Sequence, residues 1–141
     1  MENLNFVVID EPWNEYLLSD NSIIRLKSVL VEIYEEPDLN LNINRFKFKI
    51  QNIIQVKQED TDRNKANIDK INLKDMAKIR IGIKEEINDS WNLYQIINRK
   101  IKIKSFISQI YKVENAFDKD GNSIYLTVTN NVIEDLDIIK N

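Results

Sequence analysis

The sequence predicts a mainly β protein made of two tandem homologous modules, packed as a pseudo-symmetric pair of small barrels or as a fused sandwich. Residues 24–35 (IRLKSVLVEIYE) return in degraded form as residues 101–112 (IKIKSFISQIYK), keeping Lys27-Ser28 as Lys104-Ser105 and Ile33-Tyr34 as Ile110-Tyr111. Trp-Asn-x-Tyr precedes each copy, and Gln51-Asn52-Ile53-Ile54 after the first faces Asn130-Asn131-Val132-Ile133 after the second. The runs between are rich in β-branched residues alternating with polar ones, the period-two signature of half-buried strands. A copy of this size would bury only about 60% of its unfolded surface alone, which predicts one shared body. The boundaries fall at residues 1–57 for the first module, 58–77 for a polar linker and 78–141 for the second module.

Taken in order, residues 5–10 (NFVVID) read as a strand that Pro12 ends. A second run at residues 16–18 meets Ser19-Asp20-Asn21-Ser22, and Asp and Asn tolerate the positive φ of a tight hairpin turn. The following run alternates as Ile24 and Leu26 against Arg25 and Lys27, then moves its apolar set to Val29, Val31 and Ile33. Such a switch at Lys27-Ser28 predicts a bulge, a bend, or a strand passing from one layer to another, repeated in the second copy by Ile101, Ile103, then Phe106 and Ile110. Residues 35–44, with Pro37 and several Asn, read as a loop. Phe46, Phe48 and Ile50 against Lys47, Lys49 and Gln51 make a clean strand over residues 45–56. Apolar content collapses over residues 57–75, the linker, where Ile68, Ile71 and Met76 leave room for a short amphipathic helix. Residues 78–83 resume the β pattern as counterpart of residues 6–9, and residues 85–90 lead to the second Trp. Residues 101–113 and 123–136 then complete the module around a turn at 118–122.

Composition excludes whole classes of chemistry. The chain has no Cys and no His, which removes disulfides, thiolates, the usual zinc ligands and the commonest general base. A net charge of -3 lacks the basic balance of many nucleic-acid binders. Residues 1–20 include Asp10, Glu11, Glu15 and Asp20, so no apolar leader or membrane span is expected and the location predicted is cytoplasmic. Abundant Ile, Asn and Lys with two Gly and two Pro fit AT-rich coding, as in many archaea, low-GC bacteria and their viruses.

Asp118, Asp120 and Asn122 hold the first, third and fifth places of a calcium loop, and over five residues this string resembles the calmodulin-type EF-hand. Ser123 then stands where that loop has its Gly, and Thr129 where it has a bidentate Glu. Asp-Gly and Gly-Asn are also hairpin dipeptides, so the string reads as a turn, with no metal and no cofactor predicted. The repeated pairs Trp13 with Tyr16 and Trp91 with Tyr94 read as core with polar tips at the rim, rather than as a stacking platform. Two basic rows, Arg45, Lys47 and Lys49, and Arg99, Lys100, Lys102 and Lys104, are candidate contacts for a partner or for phosphates; a solvated strand face or guarded edge uses the same residues. Adjacent carboxylates such as Glu35-Glu36 point to opposite sides of a strand and make no acid/base pair. The sequence thus predicts a non-enzymatic protein-binding or structural accessory module, archaeal or viral in kind. The alternative is a nucleic-acid-binding protein using its basic strand faces.

Overall fold

Alternating β-branched and polar residues produce ten strands in a computed structural model that describes residues 2–41, 43–59, 61–97 and 99–135. They are β1 (Glu2–Leu4), β2 (Val7–Asp10), β3 (Asn14–Leu18), β4 (Ile23–Asp38), β5 (Ile43–Lys57), β6 (Lys78–Ile81), β7 (Ile83–Asn88), β8 (Asn92–Ile96), β9 (Arg99–Phe117) and β10 (Ser123–Asp135). They form two antiparallel five-stranded sheets, one ordered β1-β4-β3-β7 with β5 also on β4, the other β10-β9-β8-β2 with β6 also on β9. The pairing pattern of the first sheet recurs in the second, with β6, β8, β9 and β10 in the places of β1, β3, β4 and β5. The remaining strands are exchanged: β2 pairs with β8 and β7 pairs with β3. Each sheet therefore takes one edge strand from the other half of the chain. Among the described residues the sheets do not close into barrels, because β5 and β10 each pair along one side only.

The long ribbons β4–β5 and β9–β10 dominate both sheets. Ile24, Leu26, Ser28 and Leu30 are all buried and in phase, so the inward face does not change at Lys27-Ser28 as expected. It changes at Val31, which the β4–β5 register skips between Leu30 opposite Ile50 and Glu32 opposite Lys49. Ser108 is skipped likewise between Ile107 and Gln109, after which Ile110 is buried and Phe106 is left outward. An extra residue in one strand reverses which side chains face in, and this carries each long strand from one core to the next.

Those cores are two clusters lying between the sheets. Tyr16, Leu18, Ile24 and Leu26 pack with Ile107 and Ile110. Tyr94, Ile96, Ile101 and Ile103 pack with Leu30 and Ile33. Each cluster thus joins the short hairpin of one half to the far end of the long strand of the other. Between them on the same strands sit Ser28 and Ser105, both buried. Ser28 Oγ donates to Asn52 Oδ1 at 2.8 Å and Ser105 Oγ to Asn131 Oδ1 at 2.5 Å. Asn52 Nδ2 donates across the sheets to Thr129 Oγ1 at 3.0 Å, and Asn92 Nδ2 to the Ser28 carbonyl at 2.7 Å. The matched Ser and Asn positions of the sequence are this polar seam, whose satisfied groups fix how the two halves align.

Several local expectations change. β4 runs on to Asp38 through part of the expected loop at residues 35–44, where β5 still pairs with it as far as Asp38 opposite Ile43; a proline is tolerated in a strand whose other side is not covered, and β1 reaches only Glu35. Most of the stretch at residues 85–90 belongs to β7, and by its pairing β7, not β6, stands where β2 stands in the first half. The short helix expected in the linker around residues 68–76 is present as 3-10 rather than α-helical turns among the described residues. The linker forms three 3-10 turns, Arg63–Lys65, Ile68–Lys70 and Leu73–Asp75, the first and last capped by Asp62 and Asn72. Asn67 binds this strap to the end of β9, exchanging hydrogen bonds with Phe117 at 3.2 and 2.9 Å. The Ser19–Ser22 turn is as expected, with Asn21 at φ 66°. Among the described residues, no helix is long and apolar enough to cross a membrane.

Candidate functional site

Trp13 and Trp91 lie outside the two core clusters, half-buried on the outward faces, because each strand gives its inward places to Asn and Tyr of the Trp-Asn-x-Tyr motif. The Arg25 guanidinium stands 4.5 Å from the Trp13 ring centre and Lys27 5.9 Å. Lys102 stands 4.4 Å and Lys104 5.7 Å from the Trp91 ring. Arg25 and Lys27 are functional candidates that sequence reasoning missed. Their signal was available in Ile-Arg-Leu-Lys-Ser set against Ile-Lys-Ile-Lys-Ser, which matches the cations as well as the serine.

The predicted basic residues do not form one surface. Arg45, Lys47 and Lys49 line the outward side of β5, where Arg45 pairs with Asp38 and Lys47 with Glu36, both at 2.6 Å. Lys49 and Lys100 are exposed. The Arg99 guanidinium lies 5.1 Å from the Phe46 ring and so brings the start of β9 beside β5. Lys102 pairs with Glu134 at 3.1 Å and Lys104 with Asp89 at 2.5 Å. Carboxylates thus answer much of the positive charge locally, and surface pairs of this kind add little stability, about 0–1 kcal/mol each.

Beside Trp91 a cleft of about 320 Å³ opens between β7 and β9. Tyr16, Ile83, Lys104, Phe106 and Val132 line it together with the carboxylates of Glu86, Asp89 and Glu134. Phe106 and Val132 continue into an apolar row on the outer face of the β9–β10 ribbon. Register shows what is unusual there. Leu126 lies opposite Tyr111 as Lys47 lies opposite Tyr34, and Val128 opposite Gln109 as Lys49 lies opposite Glu32. Positions that are basic on β5 are therefore aliphatic on β10, and Leu126, Val128 and Val132 are 38%, 46% and 42% exposed.

Acidic residues from one half hold the buried tyrosines of the other. Tyr94 Oη donates to Glu11 Oε2 at 2.6 Å, and Tyr16 Oη to Asp89 Oδ1 at 3.5 Å. Burial first, and then these carboxylates, raise both phenols above their ordinary range. At one pole Tyr125 Oη donates to Asp20 Oδ2 at 2.5 Å and accepts from Gln58 Nε2 at 2.8 Å, while Lys112 lies 3.5 Å from Asp20. Burial again raises the Tyr125 phenol, assisted by Asp20. For Asp20 burial acts upward, but the Tyr125 and Ser22 hydrogen bonds and Lys112 outweigh it, and its carboxyl falls below the usual range. A depressed carboxyl stabilises the fold above its unfolded pKa of about 3.9 and loses that contribution as pH falls through the folded value. A raised phenol stabilises it below about 10 and loses that contribution as pH climbs through the folded value. Urea midpoints should therefore drop at both ends of the pH scale. Asp20→Asn should flatten the acid arm, and an unchanged acid arm in that variant would remove Asp20 from the account.

At the turn of the second hairpin, Asp118 Oδ1 accepts from the backbone N–H of Asp120 at 3.0 Å and of Asn122 at 2.9 Å. That carboxylate serves the turn itself.

Compared with known proteins, the chain matches no family model and no solved structure. It is similar to a protein of Acanthamoeba polyphaga mimivirus described as uncharacterized protein L389, with 29% identity over 111 residues. The match covers 79% of this chain and 10% of that protein, so the chain spans about a tenth of the length of the curated relative it matches.

Proposed function

We propose that this chain is a non-enzymatic protein-binding module of the cytoplasm, arisen by internal duplication, whose contact surface is the outer face of the β9–β10 ribbon. The observation that carries the reading is the replacement of Lys47 and Lys49 on β5 by Leu126 and Val128 at the equivalent register on β10. Supporting the duplication are the recurring pairing order, the skipped residues Val31 and Ser108, and the Ser-Asn pairs at the centre of each ribbon. A duplicated scaffold that keeps its core while one outer face turns apolar has acquired a surface suited to protein contact. Glu11, Asp20 and Asp89 hold tyrosine hydroxyls, a structural use of carboxylates that fits a binding role better than catalysis. The test is capture of a partner from the source organism on the immobilised chain. Partner capture should be lost on Phe106→Lys, and any nucleic-acid affinity at physiological salt should be no tighter than roughly micromolar, the range of non-specific binders. Sub-micromolar, salt-sensitive binding of DNA or RNA that vanishes when Lys47, Lys49, Lys102 and Lys104 are changed to Glu would instead establish the nucleic-acid reading.

A further inference from the structure

We propose that a second copy of this chain pairs with the open edge of β10, antiparallel and about a two-fold axis at Val128, so that the two sheets continue into one another. The inference rests on the reading of this ribbon as a protein-contact surface and names its occupant. Among the described residues β10 has β9 as its only strand partner, so beyond Ser123, whose N–H donates to Gln58 Oε1, its far side is left as an open edge. Proteins guard such edges with charge, proline or bulges. β5, the equivalent strand, is guarded by Arg45, Lys47, Lys49 and Lys57. β10 has none of these devices: residues 123–133 carry no charged side chain and no proline, and both register shifts of the ribbon place their extra residues on β9.

Charge selects a second copy as occupant. An uncharged strand meeting itself brings no like charges together, whereas β5 meeting itself would crowd its cations. Antiparallel pairing about Val128, the midpoint of residues 123–133, keeps Lys119, Asp120, Glu134 and Asp135 outside the paired stretch. It sets Ile124 against Val132 of the second copy and Val128 against its own equivalent.

The full chain should run at twice 16.7 kDa in light-scattering chromatography. Leu126→Lys with Val128→Lys, which carries the β5 pattern onto β10, should bring the mass down to 16.7 kDa with circular dichroism unchanged. Because the chain has no Cys, a second measurement needs no background correction. Val128→Cys should form a disulfide-linked pair on mild oxidation, since opposed residues hold their Cβ atoms about 4.5–5.5 Å apart, while Lys49→Cys should stay single. Should the double-lysine variant misfold, the cysteine comparison decides. A wild-type chain that stays at the single mass up to its solubility limit overturns self-pairing, as does a doubled mass that survives both lysines. In the first case, capture of a different protein that Phe106→Lys abolishes leaves the protein-binding reading standing, whereas absence of any capture removes that too.

Discussion

Tyr94→Ala is expected to lower the unfolding free energy by about 3–5 kcal/mol, as truncation of a buried aromatic does. Tyr94 is fully buried in the cluster with Ile96, Ile101 and Ile103. Its ring meets Phe6 edge-on at 6.0 Å. Its hydroxyl sits between Glu11 and Asn92, so truncation also leaves two polar groups without that partner. Tyr94→Phe keeps the packing and removes only the hydroxyl, and should cost about 1–3 kcal/mol. Equilibrium urea denaturation separates the two variants. A loss under about 1.5 kcal/mol for the alanine form would mean that this cluster collapses around the gap or contributes less than its burial implies.

Gly121→Ala is expected to cost about 2–4 kcal/mol, although it adds a single methyl group at a hairpin tip. Gly121 has φ 83°, a left-handed conformation that strains any other residue by about 1–3 kcal/mol. A Cβ there would also stand 2.2 Å from the backbone oxygen of Asp62, so the strap would have to lift off the turn. Overpacking of this sort adds about 1–3 kcal/mol, partly shared with the strain. Gly82 supplies the control, since a Cβ there meets nothing within 4 Å. Gly82→Ala should change the urea midpoint little, and equal losses at both sites would show that contact with the strap is not the cause.

The parts of this fold that follow from local pattern were legible in the sequence. Phe46, Phe48 and Ile50 alternate as expected, the Asp20-Asn21 turn forms, and the repeated Ser, Asn and Tyr positions hold the seam and the cores. The crossover of the inward face was placed three residues early because Val29 and Val31 are as apolar as the Leu30 between them, and periodicity cannot tell which side of such a run is dry. The repeated Trp and Tyr pairs read together as core, yet only the tyrosines are inward: Asn and Tyr occupy the inward places and leave the indoles to the cations. Strand exchange had no local signal at all. Val7 pairs with Gln95 and Leu18 with Ile83, and which distant strand fills an edge depends on how the two sheets lie together. The candidate contact row was half legible: the basic side of β5 was evident, but its aliphatic counterpart on β10 emerges only when the two registers are compared.

The exchange of β2 and β7 has a consequence for synthesis. When the first half has emerged from the ribosome, β3, β4 and β5 can pair locally, but β3 still lacks its second neighbour β7 and β2 has no strand to join. Both vacancies wait for residues beyond the strap, and loop closure over such separations is slow relative to hairpin formation. During that interval the backbone edges of residues 7–10 and of β3 toward β7 are unpaired beside Val7, Val8 and Ile9, side chains that stay exposed even in the finished fold, so the nascent chain offers its most open strand edges midway through translation.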